Sequence, residues 1–84
     1  MERNVTISNE SGLHARPASL FVNKANTFKS EINVEVNGKR TNAKSILGLL
    51  SLAIPQGQTL KIIAEGVDEE AALESLCSLV ESGL

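Results

Sequence analysis

Tryptophan and tyrosine are absent from the 84 residues, and the only aromatic side chains are Phe21 and Phe28. A surface that grips nucleic acid by stacking bases needs more rings than that. Cysteine occurs once, at Cys77, so neither an internal disulfide nor an all-cysteine metal site can form. Histidine also occurs once, at His14. Without a second histidine or a nearby cysteine, a zinc site of ordinary composition has too few ligands. The longest apolar stretch, Ile46 to Ile54, is broken by Gly48 and Ser51 and is too short to span a bilayer. Met1-Glu2-Arg3-Asn4 lacks the apolar segment of a secretory signal. With a lone cysteine, this predicts a cytoplasmic protein without membrane insertion.

Basic residues are missing from the last part of the chain. Residues 62–84 hold six acids and no Lys or Arg, whereas residues 1–61 hold all eight bases and four acids. The net charge of −2 excludes a strongly basic nucleic-acid binder. The excess of bases before residue 62 still favours an acidic partner or a phosphate.

What is present suits one folded domain over residues 1–84. Hydrophobic residues at 42% and charged residues at 21% are ordinary globular proportions, which excludes a disordered chain. Val5 and Ile7 alternate with Asn4, Thr6 and Ser8, a half-buried strand. Asn9-Glu10-Ser11-Gly12 reads as a loop. From Ala15 the period becomes helical, with Ala18, Phe21, Val22, Ala25 and Phe28 on one face and Leu20 off it. Ile32, Val34 and Val36 mark a second strand. Asn37-Gly38 then suits a type I′ turn, whose central residues both need positive φ, so Lys39 to Asn42 returns as a short antiparallel strand. Ser45 precedes a short helix over Ile46–Leu52, stopped before Pro55 and Gly57. Leu60, Ile62 and Ala64 form a fourth strand. Asp68 is placed to cap a last helix whose apolar face is Ala72, Leu73, Leu76, Leu79 and Val80. The order βαββαβα predicts an α+β fold, a four-stranded antiparallel sheet covered on one face by three helices.

Two segments stand out chemically. In Gly12-Leu13-His14-Ala15-Arg16-Pro17-Ala18, Pro17 fits only the first turn of a helix, where an amide has no partner to lose. The helix therefore starts at His14 or Ala15. The free amides of Ala15 and Arg16 then lie near the imidazole, and such amides bind phosphate oxygens well. Arg16 adds a guanidinium that suits a phosphoryl group. A lone histidine near a helix start is often no more than a surface residue or a cap.

The second segment is Asn42-Ala43-Lys44-Ser45-Ile46-Leu47-Gly48. Ser45 is a natural N-cap, its hydroxyl accepting from Leu47 or Gly48, and an N-cap also tolerates a phosphate. The helix after it is apolar nearly all round. Leu49 and Leu52 are assigned to the core, leaving Ile46, Leu47 and Leu50 as an exposed patch of the kind partners use.

Together, Gly12–Ala18 and Lys44-Ser45-Ile46-Leu47-Gly48-Leu49-Leu50-Ser51-Leu52 resemble HPr, the histidine-containing phosphocarrier family of the bacterial sugar phosphotransferase system. The resemblance covers the whole chain. It implies an open-faced sandwich and a carrier protein without a cofactor, not an independent enzyme. It implies that enzyme I, charged by phosphoenolpyruvate, phosphorylates His14 at Nδ1, that Arg16 steadies the phosphoryl group, and that enzyme IIA domains receive it. Ser45 matches the regulatory serine phosphorylated by HPr kinase/phosphorylase in low-GC Gram-positive bacteria. That phosphorylated form is a corepressor of catabolite control protein A. Ile46, Leu47 and Leu50 match the family's docking surface, with Ala15, Ser19 and Leu20 near its edge.

The sequence also departs from the family pattern. Leu47 and Leu50 stand where methionine is frequent in Gram-positive members, and Ala53 stands where glycine is frequent. The string Leu20–Asn26 is similar to Crh, the regulatory paralogue that lacks the active histidine. A Crh-like regulatory module acting through Ser45 is therefore the alternative to a carrier. A ferredoxin-like domain binding metal or RNA is disfavoured by the single cysteine and the few aromatics. A small hydrolase is disfavoured by the lack of a Gly-x-Ser-x-Gly turn and of convergent polar residues.

Overall fold

The computed structural model describes residues 1–84. Its strands are β1 (Glu2–Thr6), β2 (Glu31–Val36), β3 (Lys39–Asn42) and β4 (Thr59–Glu65). Its helices are α1 (Ala15–Ala25), α2 (Ile46–Ser51) and α3 (Glu69–Glu81). Alternation in β2 turns Ile32, Val34 and Val36 inward, and Asn37 and Gly38 reverse the chain with φ of 50° and 81°, as a type I′ turn requires. β3 begins at Lys39 as the turn demands. β4 fills the middle of the sheet, so the spatial order is β1-β4-β2-β3, antiparallel throughout. In that register Ile62 lies opposite Val34 on one side and Arg3 on the other.

The core lies between one face of this sheet and the helices. Val5, Ile7, Ile32, Val34, Leu60, Ile62 and Ala64 meet Ala18, Phe21, Val22 and Ala25 of α1, Leu49 of α2, and Ala72, Leu73, Leu76 and Val80 of α3. Apolar burial of this kind supplies the main driving force for folding. The opposite face of the sheet carries a charge ladder with one residue from each strand. Lys61 lies 3.3 Å from Glu2 and 3.9 Å from Glu35, and Glu35 lies 3.3 Å from Arg40. Each such pair contributes little by itself, but the row keeps the uncovered face polar around Ile63.

Several expectations need correction. β1 covers Glu2–Thr6 rather than Asn4–Ser8, because its pairing with β4 begins at Glu2 opposite Ile63. Ile7 is still fully buried beyond the strand end. Phe28 lies past the end of α1 and is half-buried. On α3, Leu79, expected on the core face, is only half-buried, while Cys77 is buried as a small core residue. Burial pushes the Cys77 thiol pKa up, opposed in part by the positive charge of the Arg3 guanidinium. Leu52 is partly rather than fully buried, and Ile46 packs against the core edge instead of standing free.

Asp68 is also corrected. It occupies the N-cap position of α3, but its carboxylate makes no capping bond. It turns back to accept from the Lys29 and Ser30 N–H groups, both at 2.9 Å, and from the Ser30 hydroxyl. Glu69 accepts from the Gly66 N–H instead, at 3.2 Å. The Ser30 hydroxyl, then the Lys29 amide, hold the Asp68 carboxyl at about 2, below its ordinary 3.8. A carboxyl depressed in the folded state stabilises the fold above its unfolded value and loses that effect as pH falls through the folded one. Asp68→Asn is therefore expected to lower the urea midpoint at pH 7. The gap to wild type should close between about pH 4 and pH 2. A gap that stays constant with pH would show that the carboxylate charge plays no part.

Ala53 follows the α2 C-cap Leu52 with φ 50°, its N–H donating to the Leu50 carbonyl at 3.1 Å. That left-handed position favours glycine, and a β-carbon there costs about 1–2 kcal/mol. Glycine loses about 0.5–1 kcal/mol of this advantage through its freer unfolded chain. Ala53→Gly is expected to stabilise the fold by roughly 0.5 kcal/mol, a rise of a few degrees in melting temperature. A lower melting temperature would mean that the methyl makes a compensating contact within the chain.

Candidate functional site

The site begins at a backbone contact. Gly12 has φ 67° and is buried, and a β-carbon there would lie 2.8 Å from Pro55 Cα and against the Ile54 carbonyl oxygen. The Gly12 N–H donates to the Asn9 carbonyl at 3.0 Å, and the next amide, Leu13, donates to the Ile54 carbonyl at 2.8 Å. Leu13 is buried, 4% exposed. The loop before α1 is thus pinned to the strap that leaves α2. His14, one residue on, emerges from this anchor exposed.

His14 is the N-cap of α1, with extended backbone (φ −82°, ψ −172°) and no side-chain capping bond. Its carbonyl accepts the first helical bond, from the Ala18 N–H at 2.8 Å. The imidazole is therefore not consumed by the helix it starts. The Ala15 and Arg16 amides have no acceptor within the helix, and Pro17 has no amide to leave unpaired. Ala15 and Arg16 are exposed, and the Arg16 guanidinium pairs with no carboxylate. An exposed nucleophile, two free donors and an unpaired guanidinium thus share one turn. Such a set can accept and hold an anionic group.

Two shallow depressions meet at His14. One, of about 430 Å³, is walled by Leu13, Leu50, Ala53, Ile54 and Pro55. The other, of about 480 Å³, is walled by Asn9, Ala15, Arg16, Pro17 and Leu84. Glu10, Ser11 and His14 line both. Leu50 thus carries the surroundings of His14 onto α2.

At the other end of α2, Ser45 accepts from the Gly48 N–H at 3.1 Å, as a side-chain N-cap does. The hydroxyl acts as acceptor in this bond, so its own proton is not committed to the cap. A β-carbon at Gly48 would collide with the Thr41 hydroxyl, which would have to turn aside. Beyond Ser45 the apolar surface is real but narrower than expected. Leu47 is 78% exposed, Leu20 44% and Leu50 37%, with Ser19 and Ala15 exposed beside them. Ile46 contributes only an edge. Sequence reasoning missed the Leu13–Ile54 anchor, which depends on a long-range contact. It also missed the positive φ of Ala53, for which an alanine gives no local signal.

The family model described as "PTS HPr component phosphorylation site" matches residues 1–82. The HPr-like protein Crh of Halalkalibacterium halodurans is 52% identical over 81 residues, covering 96% of each chain. The crystal structure of HPr-C-His from Thermoanaerobacter tengcongensis superposes with a TM-score of 0.96 at 51% identity, covering 99% of this chain and 93% of that one. The phosphocarrier protein HPr from Bacillus anthracis gives 0.92 at 49% identity, covering 95% of each chain.

Proposed function

The chain belongs to the HPr family, and from that premise we propose that it is a phosphoryl carrier of the phosphoenolpyruvate-dependent sugar phosphotransferase system. Enzyme I loads His14, and enzyme IIA domains unload it. The observation that carries this reading is the exposed His14 at the α1 N-cap, free of any capping bond, beside unpaired amides and Arg16. In loading, a lone pair of the neutral imidazole forms a bond to phosphorus while the donor's bond to phosphorus breaks and its electron pair leaves with the donor. Arg16 and the first-turn amides face the three anionic oxygens. The product stays at the surface, where a second protein can reach it. No helix is long and apolar enough to cross a membrane, and we place the protein's action in the cytoplasm.

Ser45 serves regulation in this proposal. HPr kinase/phosphorylase modifies it, and the modified form engages catabolite control protein A through the Leu47 and Leu50 surface. The similarity to Crh favours a second reading in which this role dominates. Incubation with enzyme I and labelled phosphoenolpyruvate separates the two. A carrier takes up acid-labile label, and His14→Ala takes up none. Label on neither protein, or on both, would remove the carrier reading. Acid-stable label from HPr kinase and ATP, lost in Ser45→Ala, tests the regulatory part.

A further inference from the structure

Thr41 lies in β3 opposite Val34, which is buried, so its side chain faces the helices and not the open face of the sheet. It meets α2 at Gly48. The point where a β-carbon of Gly48 would stand is 2.3 Å from Thr41 Oγ1 and 3.3 Å from Ser45 Oγ, so the two hydroxyls border one small space. Ser45 Oγ is held there by the Gly48 N–H at 3.1 Å. The segment that carries it is pinned. The Ala43 N–H donates to the Ile32 carbonyl at 2.9 Å, the Lys44 N–H to Asn42 Oδ1 at 2.9 Å, and the Ser45 N–H to the Asn42 carbonyl at 3.1 Å. Thr41 is half-buried, and its hydroxyl bonds to no other group of the chain. The charged groups on the surrounding elements are placed otherwise. Lys44 Nζ donates to the Phe28 carbonyl at 2.7 Å, and Arg40 pairs with Glu35 on the open face of the sheet. Lys24 lines a depression with Ser75 and Ser78 of α3, and Arg16 lies beside His14. Lys39 shares the face of Thr41 but stands two residues away along β3, about 7 Å.

Resting on the regulatory reading of Ser45, we propose that Thr41 is a positioning residue for the phosphoryl group carried there. That group forms as Ser45 Oγ gives up its proton and bonds the γ-phosphorus of ATP, with ADP as the leaving group. It brings three strong acceptor oxygens and nearly two negative charges. Its oxygens reach one P–O bond past Oγ, and with the Gly48 cap kept they enter the space that Thr41 borders. The Thr41 hydroxyl donates to one of them in a charge-assisted bond of about 2.5–2.7 Å. The phosphoryl group is thereby held between β3 and the start of α2 instead of turning freely in solvent. Thr41 acts on the modified chain and not on the unmodified one, where its hydroxyl has no bond to lose.

Replacing Ser45 by phosphoserine during translation, through suppression of a stop codon, gives the modified chain directly. Its second phosphate ionisation is followed by phosphorus NMR. A donor to the dianion favours that form, so the chain with Thr41 should titrate below the ordinary value of about 6. Thr41→Val, which keeps the β-branch suited to a strand, should titrate roughly half a unit higher or more. Thr41→Ser, which keeps the hydroxyl, should return to within about 0.2 units of the chain with Thr41. Lys39 and the Gly48 N–H are common to all three proteins, so their effects cancel. Thr41→Ala carries the same comparison should Thr41→Val melt below the temperature of the titration. Equal midpoints with and without the hydroxyl overturn the proposal. A rise that Thr41→Ser does not reverse also overturns it, since side-chain shape then sets the midpoint. Wild-type protein that takes no acid-stable label at Ser45 from HPr kinase and ATP removes the regulatory reading and this proposal together, whereas a labelled wild type with equal midpoints removes this proposal alone.

Discussion

Ser45→Asp is expected to slow phosphorylation of His14 by enzyme I at least tenfold, a loss of about 1.4 kcal/mol of transition-state stabilisation, while leaving the fold intact. Ser45 starts the short helix whose far end, through Leu50, forms a wall beside His14. Five residues of helix separate Ser45 from Leu50 by only ~8 Å, about one Debye length at physiological ionic strength. A protein that docks over His14 and the Leu47–Leu50 surface must therefore desolvate the new carboxylate or stand off from it, and either weakens the complex. The fold should tolerate the change because an acidic side chain can still accept from the Gly48 N–H and complements the helix end. Initial rates with enzyme I, beside urea midpoints for both proteins, give the answer. Equal rates would show that the α2 surface stays uncovered during transfer.

Gly12→Ala is the substitution with the largest expected effect on stability, roughly 3 kcal/mol. The left-handed backbone accounts for about 1–2 kcal/mol. The collision of the new methyl with the Ile54 carbonyl and Pro55 Cα adds about 1–3 kcal/mol, because both are main-chain atoms and cannot rotate aside. The same collision pushes against the Leu13–Ile54 hydrogen bond, which presents His14. Phosphorylation by enzyme I should fall further than the loss of folded protein explains. A drop in melting temperature of less than about 4 °C would mean that the loop and the strap are not pressed together. Gly38→Ala is the comparison, since a β-carbon there meets nothing within 4 Å and only its φ of 81° is strained.

The local chemistry of this chain was legible before its structure. Asn37-Gly38 specified the hairpin, Ser45 specified the α2 cap, and Pro17 placed the start of α1 within one residue of His14. Each rests on a rule that acts over four residues or fewer. Features that depend on distant partners were not legible. Asp68 looked like a cap, but Lys29 and Ser30 lie close enough to bind its carboxylate. Cys77 and Leu79 both sit at plausible core positions on α3, and only the seating of the helix against β1 and β4 buries the former. The strand order, with β4 between β1 and β2, left no mark in the alternation of any single strand. The candidate site divides in the same way. His14, Arg16 and Ser45 stood out by type and spacing, whereas the anchor that exposes His14 is a contact between residues some forty positions apart.

A two-step transfer tests the carrier role most directly. The protein is loaded with labelled phosphate by enzyme I and phosphoenolpyruvate, freed of both, and mixed with an enzyme IIA domain. The expected result is acid-labile label on the wild-type chain, absent from His14→Ala, that passes to enzyme IIA as it leaves the chain. Label that never forms on His14, or that stays there when enzyme IIA is added, would contradict a carrier function.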